Sequence, residues 1–285
     1  KMIISGDSVI RFSNIEELEI RLEFSPIYCK VNDSNGGLLA LDNTGGLAIM
    51  PLESSSNENW PKTFENNLWK LAADEPLPLL FIGVCPPRPF DWNSSFLPVI
   101  HYSSHIQRYP TDEQIIAYSK YAEVLEMHSW VWQNRYDENA RNEKGEKDPL
   151  WYDYSFQAQN HKWIPDDEVE LRRVVETAHA HGMKVIPYCN FWWEDPETPV
   201  NEVFDRRMAE IRRLKDTYDF DGLYLDGLSC SLNDLQLSYK GARTLRELFG
   251  ENGWLTYHNT HTKDNHYPFI NAYMDLIITS EHQSF

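Results

Sequence analysis

The chain has 285 residues and carries 44 acidic against 26 basic side chains, for a net charge of −18. Such an excess repels polyanions, which argues against nucleic acid and anionic membrane surfaces as partners. No Lys/Arg-rich run offers a local exception. Hydrophobic residues make up 41% of the chain, which excludes wholesale disorder, yet no apolar run reaches the roughly 18 residues of a membrane-spanning helix.

Residues 1–75 read as a meander of short antiparallel strands, sandwich-like in character. The runs SVIRF, LEIRLEF, YCKVND, GLLALD and GLAIMPL alternate or cluster apolar residues, and the turn signals SNGG and NTGG separate them. The polar stretch at 54–67 reads as a linker.

From residue 76 the pattern changes to long apolar segments at 77–87, 122–132, 184–193, 221–227, 253–261 and 275–283. Helical stretches lie between several of them. One opens at Thr111, a good N-cap followed by acidic residues. A second places Val169, Leu171, Val174, Val175 and Ala178 at near-helical spacing and stops at Gly182. A third does the same with Val203, Phe204, Met208, Ile211 and Leu214. Strand and helix in alternation predict parallel βα units. The first turn, CPPRPFDW, lacks the GxGxxG of a nucleotide-binding sheet. The expected class is therefore α/β: a (βα)8 TIM-type barrel over 76–285, preceded by the antiparallel β-rich region. A full barrel needs eight units, so the chain is expected to be a fragment or to draw its last two strands from elsewhere.

Active sites of such barrels lie at the C-terminal strand ends. The six predicted ends carry Arg88, Asp91 and Trp92; His128, Trp130 and Trp132; Asn190, Trp192 and Trp193; Asp226; His258, Asn259 and His261; Glu281 and His282. Two carboxylates among aromatic walls are the minimum kit for glycoside hydrolysis, one to attack or stabilise the anomeric carbon and one to protonate the leaving oxygen.

The run DFDGLYLDGLSC, Asp219–Cys230, resembles the fourth strand of barrel glycosidases, where an aspartate ends the strand and acts as nucleophile. AHAHGMKVIPYCNF is similar to the third strand of the α-galactosidase clan. The likeness spans 77–285. It implies Asp226 as nucleophile and Glu281, on the sixth strand, as acid/base. The α-galactosidases place a lysine where Tyr224 stands and an aspartate where Glu281 stands. Endo-α-N-acetylgalactosaminidase-like barrels, with an Asp nucleophile and a Glu acid, are resembled as well. The resemblance implies a retaining mechanism on a carbohydrate substrate. Retention goes with carboxyl groups about 5–5.5 Å apart and inversion with about 6.5–9.5 Å. Asp91, Trp92, His128, Trp130, Asn190, Trp192, Trp193, His258, Asn259 and His282 are the expected substrate-binding residues, and no cofactor or metal is expected.

Two other readings stay open. A metal-dependent hydrolase would use His258, His261, Glu281 and His282. A non-catalytic carbohydrate-binding barrel would use the same aromatic rim without turnover. Asp226 itself has a structural alternative, the capping of the loop that follows. Asp221 is expected to face away from the site. The pair His179 and His181 sits at a helix tail, where the dipole favours imidazoles, rather than at a strand end. None of the cysteines, Cys29, Cys85, Cys189 and Cys230, forms a CxxC pair. No secretory leader is visible, and an extracellular or periplasmic location is expected only because polysaccharide-active enzymes tend to be exported.

Overall fold

The computed structural model describes residues 8–11, 17–22, 26–31, 38–43, 45–51, 62–72, 79–85, 98–103, 109–132, 163–190, 199–226, 235–259 and 268–279. The chain divides into two compact units. The first holds Lys1–Asp91, Asp234–Lys240 and His266–Tyr273; the second holds Trp92–Asn233, Gly241–Asn265 and Met274–Phe285.

In the first unit the strands are β1 (Ser8–Arg11), β2 (Glu17–Arg21), β3 (Tyr28–Val31), β4 (Leu38–Leu41), β5 (Gly46–Pro51), β6 (Lys62–Glu65), β7 (Leu68–Ala72) and β8 (Leu79–Cys85). They form two antiparallel sheets, β1-β8-β5-β4-β3 and β2-β7-β6. The five runs expected to be strands before residue 53 are strands. The polar stretch 54–67 is not all linker. Lys62–Glu65 forms β6, and Asn66 and Asn67, at φ 53° and 60°, turn the chain straight into β7. Two consecutive positive-φ residues make the hairpin turn whose twist matches its strands, and Asn tolerates that region.

A second correction concerns the expected first barrel strand. Residues 79–85 lie between β1 and β5 and pair antiparallel with both. An apolar run buried from both sides reads the same whether its neighbours run parallel or antiparallel. The expected division at 75/76 falls between β7 and β8.

The remaining elements, in chain order, are β9 (Val99–Tyr102), α1 (Asp112–Tyr118), β10 (Val124–Met127), α2 (Ser129–Trp132), α3 (Glu168–Ala180), β11 (Lys184–Asn190), α4 (Val200–Tyr218), β12 (Gly222–Asp226), α5 (Leu235–Phe249), β13 (Trp254–Asn259), α6 (Pro268–Asn271) and β14 (Leu276–Thr279). The strands of the second unit build a six-stranded sheet in sequence order, β9 to β14. Every neighbouring pair is parallel. The order never reverses, as it would in a doubly wound sheet. The described strands are thus compatible with a TIM-type barrel carried through six strands.

The helices follow their sequence signals. Thr111 caps α1 in a capping box with Gln114. Asp167 accepts from the Val169 and Glu170 N–H groups at the start of α3. Leu171, Val174, Val175 and Ala178 are buried as expected, but Val169 is 76% exposed. α3 stops at Gly182, φ 75°. All five apolar positions expected in α4 are buried.

Two aspartates tie the strand beginnings together in the same way. Asp221 accepts from Val185 N–H at 2.7 Å and lies 2.8 Å from His179 Nε2. Its own N–H donates to Val185 O. Asp275 accepts from Leu255 N–H at 2.8 Å and from Arg246 Nη2 at 2.5 Å, and its N–H donates to Leu255 O. Each thus joins the neighbouring strand to the helix that leads into that strand, at the end of the sheet opposite Asp226. His179 is thereby taken up by structure. Gly222 permits the close approach of β12 to β13: a Cβ there would lie 1.7 Å from Trp254 O.

Side chains alternate across this sheet. One face carries a cluster drawn only from strands: Val124, Ile186, Tyr188, Tyr224 and Trp254, with Val99, Leu276 and Ile278 against it. The other face meets the helices. Cys189 there is fully buried. Burial pushes its thiol well above the ordinary value, with Arg207 of α4 opposing the rise and Glu210 of α4 adding to it.

Candidate active site

The strand-only face changes character toward the C-terminal strand ends. Val124, Ile186 and Trp254 give way to Glu126, Tyr188, Tyr224, Asp226 and His258. In register, Tyr188 stands opposite Tyr224, Asn190 opposite Asp226, and Asp226 opposite His258. This period of two brings the polar groups of separate strands to one place.

Asp226 is the last residue of β12, with 14% of its side chain exposed. Its Oδ2 accepts a hydrogen bond from the Tyr188 hydroxyl at 2.5 Å. Its Oδ1 lies 3.5 Å from His258 Nδ1. A phenol donating to a carboxylate makes a short, charge-assisted bond, stronger than a neutral one. It holds one oxygen and leaves the other beside the imidazole.

His258 is buried, and its Nδ1 lies 2.9 Å from the Tyr224 hydroxyl. The two rings stack at 5.9 Å and 17°. Its Nε2 meets no hydrogen-bond partner among the described residues. Tyr188 packs on Tyr224 at 5.0 Å between ring centroids and on His128 at 4.5 Å. A continuous floor of phenol and imidazole rings therefore lies beside Asp226.

The structure brings together three of the expected residues: Asp226, His128 and His258. Asn190, Asn259 and Trp130 have their backbones in β11, β13 and α2, and their side chains lie outside the described residues. Glu281, Asp91, Trp92, Trp192, Trp193 and His282 lie wholly outside them, as do Arg88 and His261. The strand that Asp91 and Trp92 were expected to follow is not in the parallel sheet. Trp132 is fully buried in α2, as core rather than rim.

Sequence reasoning gave no site role to Tyr188, Tyr224, Glu126 and His101. The first three are embedded in apolar runs and look like core. The signal that finds them is alternation: Tyr188 precedes Asn190 by two, Tyr224 precedes Asp226 by two, and Glu126 precedes His128 by two. Among the described residues, no group of three or more His, Cys, Asp or Glu side chains is disposed to hold a metal ion.

The sequence matches no protein-family model. No curated protein matches it. Solved structures overlap it loosely. An alpha-galactosidase from Thermus thermophilus in complex with stachyose has a TM-score of 0.40 and 12% identity, covering 78% of this chain and 55% of that one. A chitinase from Bacteroides thetaiotaomicron gives 0.39 and 15%, with 64% and 52% covered. A maltogenic alpha-amylase from Thermotoga neapolitana gives 0.42 and 12%, with 65% and 49% covered. This chain spans about half the length of each. At this level of overlap the comparisons name neither fold nor activity for it.

Proposed function

We propose that the chain is a glycoside hydrolase of TIM-barrel type, with Asp226 as nucleophile of a retaining mechanism. One observation supports this above the rest. A carboxylate ends a central strand of a sequentially wound parallel sheet, held on one oxygen by Tyr188 and bordered on the other by His258. C-terminal strand ends are where barrels of this winding place their chemistry.

In the first step Asp226 attacks the anomeric carbon while Glu281 gives its proton to the departing glycosidic oxygen. A glycosyl ester forms on Asp226 and the aglycone leaves. In the second step the Glu281 carboxylate takes a proton from water, the hydroxide attacks the same carbon, and Asp226 departs as carboxylate. The Tyr188 hydroxyl favours the charged form of Asp226 and so aids that departure. His128, His258, Asn190 and Asn259, with Asp91, Trp92, Trp130, Trp192, Trp193 and His282, complete the proposed sugar-binding wall. No cofactor enters the scheme.

Turnover of a panel of aryl α- and β-glycosides tests the reading. Asp226→Asn is expected to lower turnover by roughly a thousandfold or more with folding intact. Glu281→Gln is expected to spare glycosides with activated leaving groups more than those with poor ones. Full activity in Asp226→Asn would return this aspartate to a structural role.

A further inference from the structure

A second carboxylate belongs to the same face. Glu126 is 1% exposed, and its Oε1 lies 2.5 Å from His101 Nδ1. Its Oε2 has no hydrogen-bond partner among the described residues. The two residues stand opposite one another in the parallel register of β9 and β10. Their exposure differs sharply: 44% of the His101 side chain is open against 2% of the Glu126 side chain. The acid is at the bottom of the pair and the imidazole at the top.

With Glu126 ionised, the carboxylate only accepts hydrogen bonds, and the bond to Nδ1 then requires Nδ1–H. A neutral ring protonated there keeps a bare lone pair on Nε2, on the far side of the ring from Glu126. Two rings fence the imidazole edge-on: His128 at 5.5 Å and Tyr224 at 5.8 Å. Tyr224 is bonded in turn to His258, which borders Asp226. His101 thus stands on the same floor as the proposed nucleophile, and it is the exposed member of its pair.

We propose that Glu126 and His101 form a hydroxyl-binding subsite of the Asp226 centre. Glu126 is the positioning residue: it sets the tautomer and orientation of the ring, and His101 Nε2 accepts a hydrogen bond from a sugar hydroxyl. The subsite rests on the carbohydrate reading above but makes a separate demand, namely one tautomer of one histidine.

The test is nitrogen NMR of the full chain labelled with 15N-histidine, across a pH series that identifies the neutral ring of each histidine by its own two nitrogen signals. The His101 signals are assigned by their loss in His101→Gln, and D-galactose, D-glucose and N-acetyl-D-galactosamine are the probes. Wild type is expected to show protonated Nδ1 and bare Nε2. Glu126→Gln keeps this pattern, because its amide oxygen still accepts, whereas Glu126→Leu loses it. At least one sugar moves the His101 Nε2 signal upfield in wild type and leaves it unmoved in Glu126→Leu. With the aryl glycoside that is turned over, His101→Ala costs about tenfold in kcat/KM. A wild-type ring protonated on Nε2 overturns the proposal. So does a sugar that moves His258 and leaves His101 untouched, and in that case the hydrolase reading survives. Sugars that move no histidine overturn the subsite whether or not turnover is seen. A His101 response without any turnover keeps the subsite and sinks the hydrolase reading alone.

Discussion

The Asp226 carboxyl is largely withdrawn from water, and a carboxylate in such a place persists only with hydrogen bonds to it. Tyr188 supplies one at 2.5 Å. A hydrogen bond to a charged group contributes about 1.5–3 kcal/mol, so Tyr188→Phe should lower kcat/KM roughly 10- to 100-fold. The melting temperature should fall by only a few degrees, since the carboxylate loses its donor while the ring and its packing on Tyr224 and His128 remain. A steady-state assay beside a thermal melt checks both halves. Cys189 gives a prediction of another kind. Burial raises its thiol in the folded state. Above the ordinary thiol value of about 8.5, the unfolded chain loses that proton while the folded chain keeps it. Stability therefore falls as pH rises through this range, with Cys189 contributing about 1.4 kcal/mol per pH unit. Urea titrations across alkaline pH should show a shallower decline in Cys189→Ala. At this scale the sequence was readable where a polar residue ends an apolar run, as at Asp226, His128 and His258. It gave no site role to Tyr188, Tyr224 or Glu126, because a tyrosine or an isolated glutamate inside such a run looks like core until its two-residue spacing to the strand-end residue is used. His101 went unread with its strand.

The elements were legible wherever turn residues punctuated them. The N-terminal strands emerged from SNGG and NTGG, and α3 from the spacing of its apolar residues and its stop at Gly182. Besides the polar stretch that holds β6, two misreadings have physical causes. β8 is covered by β1 and β5, so it is apolar throughout and mimics a parallel barrel strand. β9, the true start of the parallel sheet, is the four-residue run VIHY, too short for a period to show. The strand spacing itself depends on Gly222, against which the Trp254 carbonyl is pressed. Gly222→Ala should separate β12 from β13 and cost about 3 kcal/mol or more. Its denaturation midpoint should fall well below wild type, and Asp226 should lose its register with His258. An unchanged midpoint would mean that the two strands are not held so close.

For the molecule as a whole, two kinds of sheet divide the work. The antiparallel strands of the first unit bury their own core, including Leu38, Ile49 and Trp69. The parallel sheet of the second unit gathers the candidate chemistry. The net charge of −18 leaves a neutral polyol as a better partner than a polyanion. Sequence alone reached the parallel winding, because strand and helix alternate from Asp112 onward. It could not reach the geometry of the site, which depends on register between strands far apart in the chain. The central claim is that Asp226 forms a covalent bond to sugar during turnover. Its most direct test is to incubate the protein with activated 2-fluoro and 5-fluoro glycosides of whichever sugar it hydrolyses, then map the peptides by mass spectrometry. The account predicts one glycosyl adduct per chain, on the peptide carrying Asp226, absent in Asp226→Asn. Steady turnover with no adduct and an inverted first product, or an adduct on another carboxylate, would contradict it.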